Sequence, residues 1–213
     1  MVGLLGKKLG QTQVYDEGGD LVCVTAVECR PNRVLQCKTE ETDGYNAVQL
    51  GFGVQKPQRV NKPLTGHYHK HGAEPCQKIK EFRDFEVSVK PGDEVKLADC
   101  FFAGDFVDAI GVTKGHGFQG VMKRHGFGGG RATHGAKGWK RRPGSIGQGS
   151  TPGYVRKGQP MPGHMGQVRR TVQNLKVVRI MEEDNVVLVS GAIPGAVGDY
   201  VVIRSAKKKK AST

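Results

Sequence analysis

The chain has 213 residues, enough for one good hydrophobic core or two small ones. Hydrophobic residues make up only 37% of it, whereas 32 residues are glycine, about double the usual share. The net charge of +13 favours a polyanionic partner, and no apolar run approaches the roughly 18 residues that a membrane span requires. No signal or transit peptide is recognisable at the start, so we expect a cytoplasmic protein with no membrane partner.

The first 53 residues have the pattern of short β-strands, and the same pattern returns near the C-terminus. Six alternating or β-branched runs predict strands at residues 21–27, 33–38, 45–52, 176–181, 186–190 and 200–204. Residues 86–89 and 94–98, joined by a Pro-Gly turn, predict a further strand pair. These runs are short and apolar enough to be buried, so the fold class that we predict is mainly β, with the strands forming a barrel.

The region at residues 54–85 is polar and contains several prolines, which predicts an inserted loop with a small helical part. Within it, His67, His69 and His71 alternate, so they would lie on one side of an extended segment and could bind a metal ion. No neighbouring cysteine or carboxylate completes such a site. We therefore favour surface histidines or histidines that contact RNA.

The positive charge of the chain is concentrated in an acid-free segment, residues 109–181. This segment contains 14 Lys and Arg, no Asp or Glu, and 17 of the 32 glycines, whereas the other 140 residues carry 19 basic and 20 acidic side chains. Low hydrophobicity and unbalanced charge prevent folding by self-burial, and RNA phosphates would supply the missing counter-charge. An arm of about 50 residues that leaves a body and returns could reach about 80 Å at most.

The acid-free segment includes a glycine motif at residues 115–120 that matches the G-x-G-x-x-G pattern of dinucleotide-binding loops. That pattern requires a carboxylate about 20 residues later, and none occurs before Glu182. We therefore predict no nucleotide cofactor. Glycines here would instead let the backbone approach an RNA strand closely.

The single tryptophan, Trp139, precedes three consecutive cations, residues 140–142. This arrangement suits stacking on a splayed base while the cations hold its flanking phosphates, and Arg141 and Arg142 favour bidentate contacts. The alternative is a tryptophan that anchors a small local cluster. The uncharged, turn-rich residues 145–153 that follow predict the tip of the arm.

Catalytic machinery is not recognisable in the acid-free segment. It has no Ser/His/Asp set, no paired carboxylates and no acid to bind Mg²⁺, and the histidines have no carboxylate to orient them. The five cysteines lack C-x-x-C spacing, which argues against a disulfide framework and a zinc site. We predict no catalytic residue, metal or small-molecule substrate. Seventeen residues are predicted to contact RNA: Lys114, His116, Lys123, Arg124, Arg131, His134, Lys137, Trp139, Lys140, Arg141, Arg142, Gln148, Arg156, Lys157, His164, Arg169 and Arg170.

Long motifs of the chain resemble the bacterial-type family of large ribosomal subunit protein L-three. The matching stretches are residues 2–10, 43–45, 61–63, 66–67, 101–124, 142–148, 151–153 and 163–166. The resemblance implies a translation-protein-type β-barrel body, residues 1–122 and 171–206, at the subunit surface. It also implies an extended arm that penetrates ribosomal RNA, residues 123–170, with its tip near residues 144–153, and a basic tail at residues 207–213.

The same resemblance implies a structural constituent of the large subunit that binds 23S rRNA early in assembly and contacts the ribosomal proteins L-fourteen and L-nineteen. Gln148, Gly149 and Ser150 would lie closest to the peptidyl transferase centre. Some relatives carry a modified glutamine at the position of Ser150, and serine cannot take that amide methylation. Two alternatives stay open: an RNA-modifying enzyme with a basic arm, and an RNA chaperone outside any particle.

Overall fold

The structure is a computed structural model that describes residues 2–16 and 18–209. The chain forms two compact units. The barrel unit comprises the described residues up to Thr113 and those from Arg169 onward, and the cationic unit comprises Lys114–Val168. Among the described residues, no helix has the length and apolar character needed to cross a membrane.

Twelve strands and three α-helices account for the regular structure of the described residues. The strands are β1 Gly3–Tyr15, β2 Leu21–Glu28, β3 Asn32–Lys38, β4 Ala47–Val54, β5 Cys76–Arg83, β6 Glu94–Val95, β7 Phe106–Val112, β8 Gly117–Gln119, β9 Gly163–Met165, β10 Arg169–Met181, β11 Val186–Ser190 and β12 Tyr200–Ser205. The helices are α1 Glu40–Asp43, α2 Lys62–Lys70 and α3 Val121–His125, and short 3-10 turns lie at Pro57–Arg59 and Lys137–Trp139.

Six antiparallel strands of the barrel unit close into a barrel in the order β1-β12-β7-β10-β11-β2. Their inward side chains form the core, in which Leu4, Val27, Val107 and Ile203 are fully buried. Burial of each such side chain contributes about 1.5 to 3 kcal/mol of stability. The fold class predicted from the sequence, mainly β with a closed barrel, is therefore confirmed.

A second antiparallel sheet, in the order β5-β4-β3-β6, shares the core of the barrel. Val34 and Leu50 are fully buried and belong to the same cluster as the barrel residues, and Phe82 from β5 joins them. The sheet and the barrel therefore stabilise each other through one hydrophobic core.

The strand pair predicted at residues 86–89 and 94–98 is wrong. Residues 86–89 form no strand, and β6 pairs with β3 instead, with Asn32 opposite Val95. Val89 and Phe85 nevertheless pack against the core cluster from backbone that forms no strand. The region at residues 54–85 contains α2 as expected, but also β5, which the sequence did not predict.

The chain leaves the barrel unit after β7 and re-enters it in β10, and these two strands are paired. Val112 at the end of β7 lies opposite Arg169 at the start of β10. Both ends of the cationic unit therefore join the barrel unit at adjacent positions of one strand pair.

Candidate nucleic-acid interface

The cationic unit contains little regular structure, and its scattered hydrophobic side chains form no core: six large ones are exposed, namely Phe118, Trp139, Ile146, Tyr154, Val155 and Val168. Within its 55 residues, all of which the structure describes, Val121 is the one buried side chain. Ten Lys and Arg occur in the unit, together with four histidines and no acidic residue. No ion pair within the unit can neutralise these cations, so their charge is available to an external anion.

Hydrogen bonds join the outgoing and returning chains of the cationic unit. We call the contacts of Arg124 and His125 with Met161 the Arg124 clip. β8 pairs with β9, with Phe118 opposite His164. Next to this ribbon, Nη1 of Arg124 donates to the carbonyl oxygen of Met161 at 2.7 Å, and Nε2 of His125 lies 3.0 Å from the same oxygen. The sequence assigned Arg124 to phosphates and missed this structural role, because the contact joins residues that are 37 positions apart.

The glycine at position 163 allows the clip to form. A Cβ atom there would lie 2.5 Å from Nη1 of Arg124, closer than real Cβ contacts allow. Gly163 therefore gives the guanidinium room to pass across the returning chain and reach Met161.

Trp139 is held on one side and exposed on the other. A Cβ atom at Gly130 would lie 2.7 Å from Cδ1 of Trp139, and the amide of Gly130 donates to the carbonyl of Lys140 at 3.1 Å. The tryptophan nevertheless keeps 54% of its surface exposed, and the guanidinium carbon of Arg142 lies 5.7 Å from the ring centroid. The indole thus has both a local contact and a face that a base could stack on.

All seventeen residues predicted to contact RNA are exposed. Fifteen of them lie in the cationic unit, and Arg169 and Arg170 lie on β10 of the barrel unit. The structure brings His134, Lys137 and Lys140 together around a concavity of about 330 Å³. Their contacts with RNA stay a prediction.

The uncharged residues 145–153 form a turn-rich segment, as the sequence indicated. The hydroxyl of Ser145 donates to the carbonyl of Gly147 at 2.8 Å, and the amide of Gly153 lies 3.3 Å from the carbonyl oxygen of Gly149. Gln148, Gly149 and Ser150 are exposed. No bulky side chain covers Gly149, since a Cβ atom there would meet nothing within 4 Å.

The three histidines of the insert do not lie on one side of an extended segment, because His67 and His69 belong to α2 and His71 caps it. One helical turn brings the rings of His67 and His71 to 5.0 Å, whereas His69 is exposed. Burial lowers the pKa of His67, and His71 and Lys70 lower it further. The described residues contain no group of three or more side chains that could hold a metal ion.

The five cysteines are free thiols. Cys29 is fully buried, and burial raises its pKa to about 12; burial likewise raises the pKa of Cys100 to about 12. Both thiols are therefore protonated at neutral pH and serve as hydrophobic core side chains rather than as nucleophiles.

The closed barrel and the acid-free cationic unit together define a basic β-barrel protein suited to a polyanionic partner. The model of the family described as Ribosomal protein L3 matches residues 77–192. The chain is 53% identical to large ribosomal subunit protein uL3 of Akkermansia muciniphila, over 98% of this chain and 99% of that protein. The chain belongs to the ribosomal protein L3 family, which confirms the resemblance seen in the sequence.

Two further relatives have the same name and similar coverage. Large ribosomal subunit protein uL3 of Brachyspira hyodysenteriae is 50% identical over 99% of this chain and 96% of that protein. The uL3 protein of Corynebacterium aurimucosum is 51% identical over 97% of this chain and 94% of that protein. All three relatives are named as proteins of the large ribosomal subunit.

Proposed function

We propose that this chain is a structural constituent of the large ribosomal subunit in the cytoplasm, where it binds 23S rRNA mainly through its cationic unit. One observation carries the proposal: fifteen exposed side chains of the predicted set lie in a unit with ten Lys and Arg and no carboxylate. The names of its relatives, which are proteins of the large ribosomal subunit, support a place in that subunit.

The physical basis of the proposed binding is release of counterions from RNA phosphates. If about 8 cations each neutralise one phosphate, the logarithm of the binding constant falls with the logarithm of salt concentration with a slope of about -7. Ordering the chain costs about 1 to 2 kcal/mol of backbone entropy per residue, so many contacts must offset it. The Arg124 clip lowers that cost by fixing both strands at one place before RNA binds.

The arm of this proposal comprises residues 123–170, and its tip comprises residues 144–153. The tip would approach the peptidyl transferase centre with Gln148, Gly149 and Ser150. The exposure of these three residues supports a close approach to crowded RNA, as does the open space at Gly149, where a Cβ atom would meet nothing within 4 Å. The body of the proposal, residues 1–122 and 171–206, would lie at the subunit surface, with residues 207–213 as a basic tail.

An early role in assembly and contacts with L-fourteen and L-nineteen complete the proposal. They are supported by the family resemblance. A partly structured cationic unit is suited to early assembly, because it can order as the RNA folds around it and so join several RNA segments.

The experiment that tests the proposal is co-sedimentation with ribosomal particles. A tagged chain is expressed in a bacterium, and large subunits are washed in high salt and pelleted through sucrose. The proposal predicts one copy per large subunit after the wash. Release of the chain into the supernatant would indicate an RNA chaperone outside any particle and would contradict a stoichiometric subunit role.

A variant with fewer charges shows whether retention of the chain in the particles depends on the cationic unit. Replacing Lys140, Arg141 and Arg142 with glutamine removes three charges from one exposed run. We expect this variant to be lost from the particles at lower salt than the natural chain. Equal retention of the two proteins would contradict anchoring through the cationic unit.

A further inference from the structure

The barrel unit carries a second concentration of positive charge, in the basic insert, which we define as residues 54–83. The insert contains seven Lys and Arg and two carboxylates, Glu74 and Glu81. Outside the insert and the acid-free segment, the other 110 residues carry 12 basic and 18 acidic side chains. Outside the acid-free segment, the positive and negative charges nearly cancel when all residues are counted together. They are unevenly distributed, however, because the basic insert has a net positive charge and the remaining residues have a net negative charge.

Both carboxylates of the basic insert form ion pairs with basic side chains of β3. Oε2 of Glu74 lies 3.4 Å from Nη1 of Arg33, and Oε2 of Glu81 lies 3.0 Å from Nζ of Lys38. Six cations of the insert are exposed and have no ion pair with any described residue. Two of them, Lys78 and Arg83, lie over the rings of Tyr200 and Tyr45. The other four contact neither a carboxylate nor a ring among the described residues: Lys56, Arg59, Lys62 and Lys70. Their charge is directed to solvent or to a partner.

Helix α2 has an inner face that fixes its orientation on the second sheet. Tyr68 is 3% exposed, and its hydroxyl donates to the carbonyl of Cys76 on β5 at 3.0 Å. The Nε2 atom of His67 lies 2.6 Å from Oε1 of Gln49 on β4. The helix is therefore anchored to two neighbouring strands by polar contacts from one side.

The opposite face of α2 carries Lys62, Gly66, His69 and Lys70. Positions four, seven and eight residues after Lys62 fall on its side of a helix. All four residues are exposed, which agrees with the inward direction of Tyr68. The outer face is therefore a glycine flanked along the helix by cationic side chains.

No contact within the protein explains the glycine at position 66. Glycine is less favourable than any residue but proline in the interior of a helix. A Cβ atom at Gly66 would meet nothing within 4 Å, and its φ lies outside the left-handed region. The fold would thus accept alanine there. A bare stretch of helix between cations is suited to close approach by the backbone of another molecule.

We propose that the outer face of α2, together with the Pro57–Arg59 turn, is a second RNA-binding surface that receives a sugar-phosphate backbone across Gly66. Lys62 and Lys70 would contact phosphates on either side, and Lys56 and Arg59 would extend the contact. This surface lies outside the acid-free segment and goes beyond the proposed role of the cationic unit, although its choice of RNA rests on that role.

The composition of this face favours RNA over a protein partner. Protein interfaces are enriched in aromatic residues and depleted in lysine. Three of the four cations that contact neither a carboxylate nor a ring are lysines, and α2 exposes no aromatic ring other than that of His69. Its one large exposed hydrophobic side chain, Leu64, is only 40% exposed. A phosphate backbone needs point charges and space, and both are present here.

The first part of the test measures binding of the full chain to a transcript of 23S rRNA at several salt concentrations. The variant Lys62→Gln/Lys70→Gln is compared with Lys90→Gln/Lys96→Gln, which removes the same charge from exposed positions elsewhere in the barrel unit. We expect the first to bind about tenfold more weakly, with a salt slope reduced by about 1.4 to 1.8, and the second to bind within about twofold of the natural chain. Equal affinity of the two variants would overturn the proposal.

The second part uses Gly66→Ala, in which stability and binding should change in opposite directions. Alanine raises helix propensity, so the melting temperature should rise, whereas the added methyl group should weaken RNA binding by about tenfold if a backbone packs there. A purely structural role for Gly66 would leave affinity unchanged or raise it. That outcome would refute the proposed contact even though the variant folds well.

Failure of this inference is distinguishable from failure of the proposed function. If the natural chain does not bind the transcript, the proposed function itself fails. If the chain binds and loses affinity when Arg141 and Arg142 are replaced but not when Lys62 and Lys70 are, the second surface alone is refuted. Crosslinks from a photoreactive residue placed at His69 in assembled subunits should reach RNA, and crosslinks to protein only would overturn the choice of partner.

Discussion

The barrel unit and the cationic unit differ in whether they contain carboxylates that can pair with their basic side chains. In the barrel unit, Asp108 and Arg204 lie on adjacent strands and pair at 3.2 Å, with the Asp108 side chain only 1% exposed. In the cationic unit, only Val121 is buried and no carboxylate occurs. The barrel unit therefore has its own core and its own counter-charges, whereas the cationic unit must obtain counter-charge from a partner. The comparison teaches that the residues that form the hydrophobic core and the residues proposed to bind RNA lie in different parts of one chain.

Removing charge from the cationic unit should give the largest effect and should leave the barrel unit unaffected. In a variant with glutamine at Lys140, Arg141, Arg142, Arg156 and Lys157, affinity for 23S rRNA should fall by about two to three orders of magnitude. The salt slope should decrease from about -7 to about -3, because five phosphate contacts are lost. Binding titrations at several salt concentrations measure both quantities, and thermal unfolding should show an unchanged barrel unit.

The control for this variant exchanges Lys140 and Lys157 for arginine, which keeps the charge. Affinity close to that of the natural chain is expected. A glutamine variant whose salt slope stays near that of the natural chain would show that other residues neutralise the phosphates.

Breaking the Asp108–Arg204 ion pair tests how much a buried pair contributes to the stability of the barrel unit. Asp108→Ala leaves the Arg204 guanidinium without its carboxylate. It also removes the acceptor of the backbone N–H of Asn174, which donates to Oδ1 of Asp108 at 3.1 Å. Loss of one partner of a buried ion pair costs about 3 to 5 kcal/mol, so the free energy of unfolding should fall by about that amount. Chemical denaturation measures it.

A surface pair provides the comparison for Asp108→Ala. Arg30 lies 2.7 Å from Glu28, but its side chain is 71% exposed. Arg30→Ala should therefore lower the free energy of unfolding by only about 0 to 1 kcal/mol. Similar losses in the two variants would contradict the importance assigned to the buried pair.

Substitution of Trp139 distinguishes between two roles of its indole, stacking on an RNA base and anchoring the local chain. Trp139→Ala should weaken RNA binding by about 1 to 3 kcal/mol if one base stacks on the indole, and Trp139→Phe should retain much of the affinity. Limited proteolysis of the free proteins reports on the local contact with Gly130. Unchanged affinity combined with faster cleavage near Trp139 would support the local anchor and exclude the stacking role.

The smallest expected effect concerns His67 in the barrel unit. Its pKa is lowered from the ordinary value of 6.5, first by burial and then by His71 and Lys70. A lowered pKa means that the unfolded chain binds the proton more readily, so the stability contributed by neutral His67 is complete above pH 6.5 and is lost as the pH falls through the lowered pKa. His67→Gln should therefore lose less stability than the natural chain between about pH 7 and about pH 5. An equal loss would assign the pH dependence to other groups.

Much of the barrel unit could be predicted from alternation in the sequence, and its failures have physical reasons. β11 was predicted with the observed bounds because an uninterrupted apolar run is buried on both faces. β1 was missed because three glycines and two lysines break its alternation. Gly6 belongs in that strand for a tertiary reason: a Cβ atom there would lie 2.7 Å from Cγ1 of Val27 and 2.8 Å from Sγ of Cys29. Such neighbours are not visible in a local pattern.

The candidate interface could be predicted from composition, but its internal contacts could not. Absence of acids and abundance of glycine indicated exposed cations, and the structure shows them exposed. The contact between Arg124 and Met161 depends on the path of the returning chain, which carries no sequence signal. The face of α2 was missed because the charge was averaged over all residues outside the acid-free segment.

The most direct test of the division between the two units is deletion of residues 126–168, with a short Gly/Ser linker in their place. The strands of the closed barrel, the residues of its core and the Asp108–Arg204 pair all lie outside the deleted residues. We predict a soluble protein with the β-sheet circular dichroism spectrum of the natural chain that fails to support active large subunits. An unfolded protein would contradict the account, because the cationic unit would then be required for the core rather than for RNA.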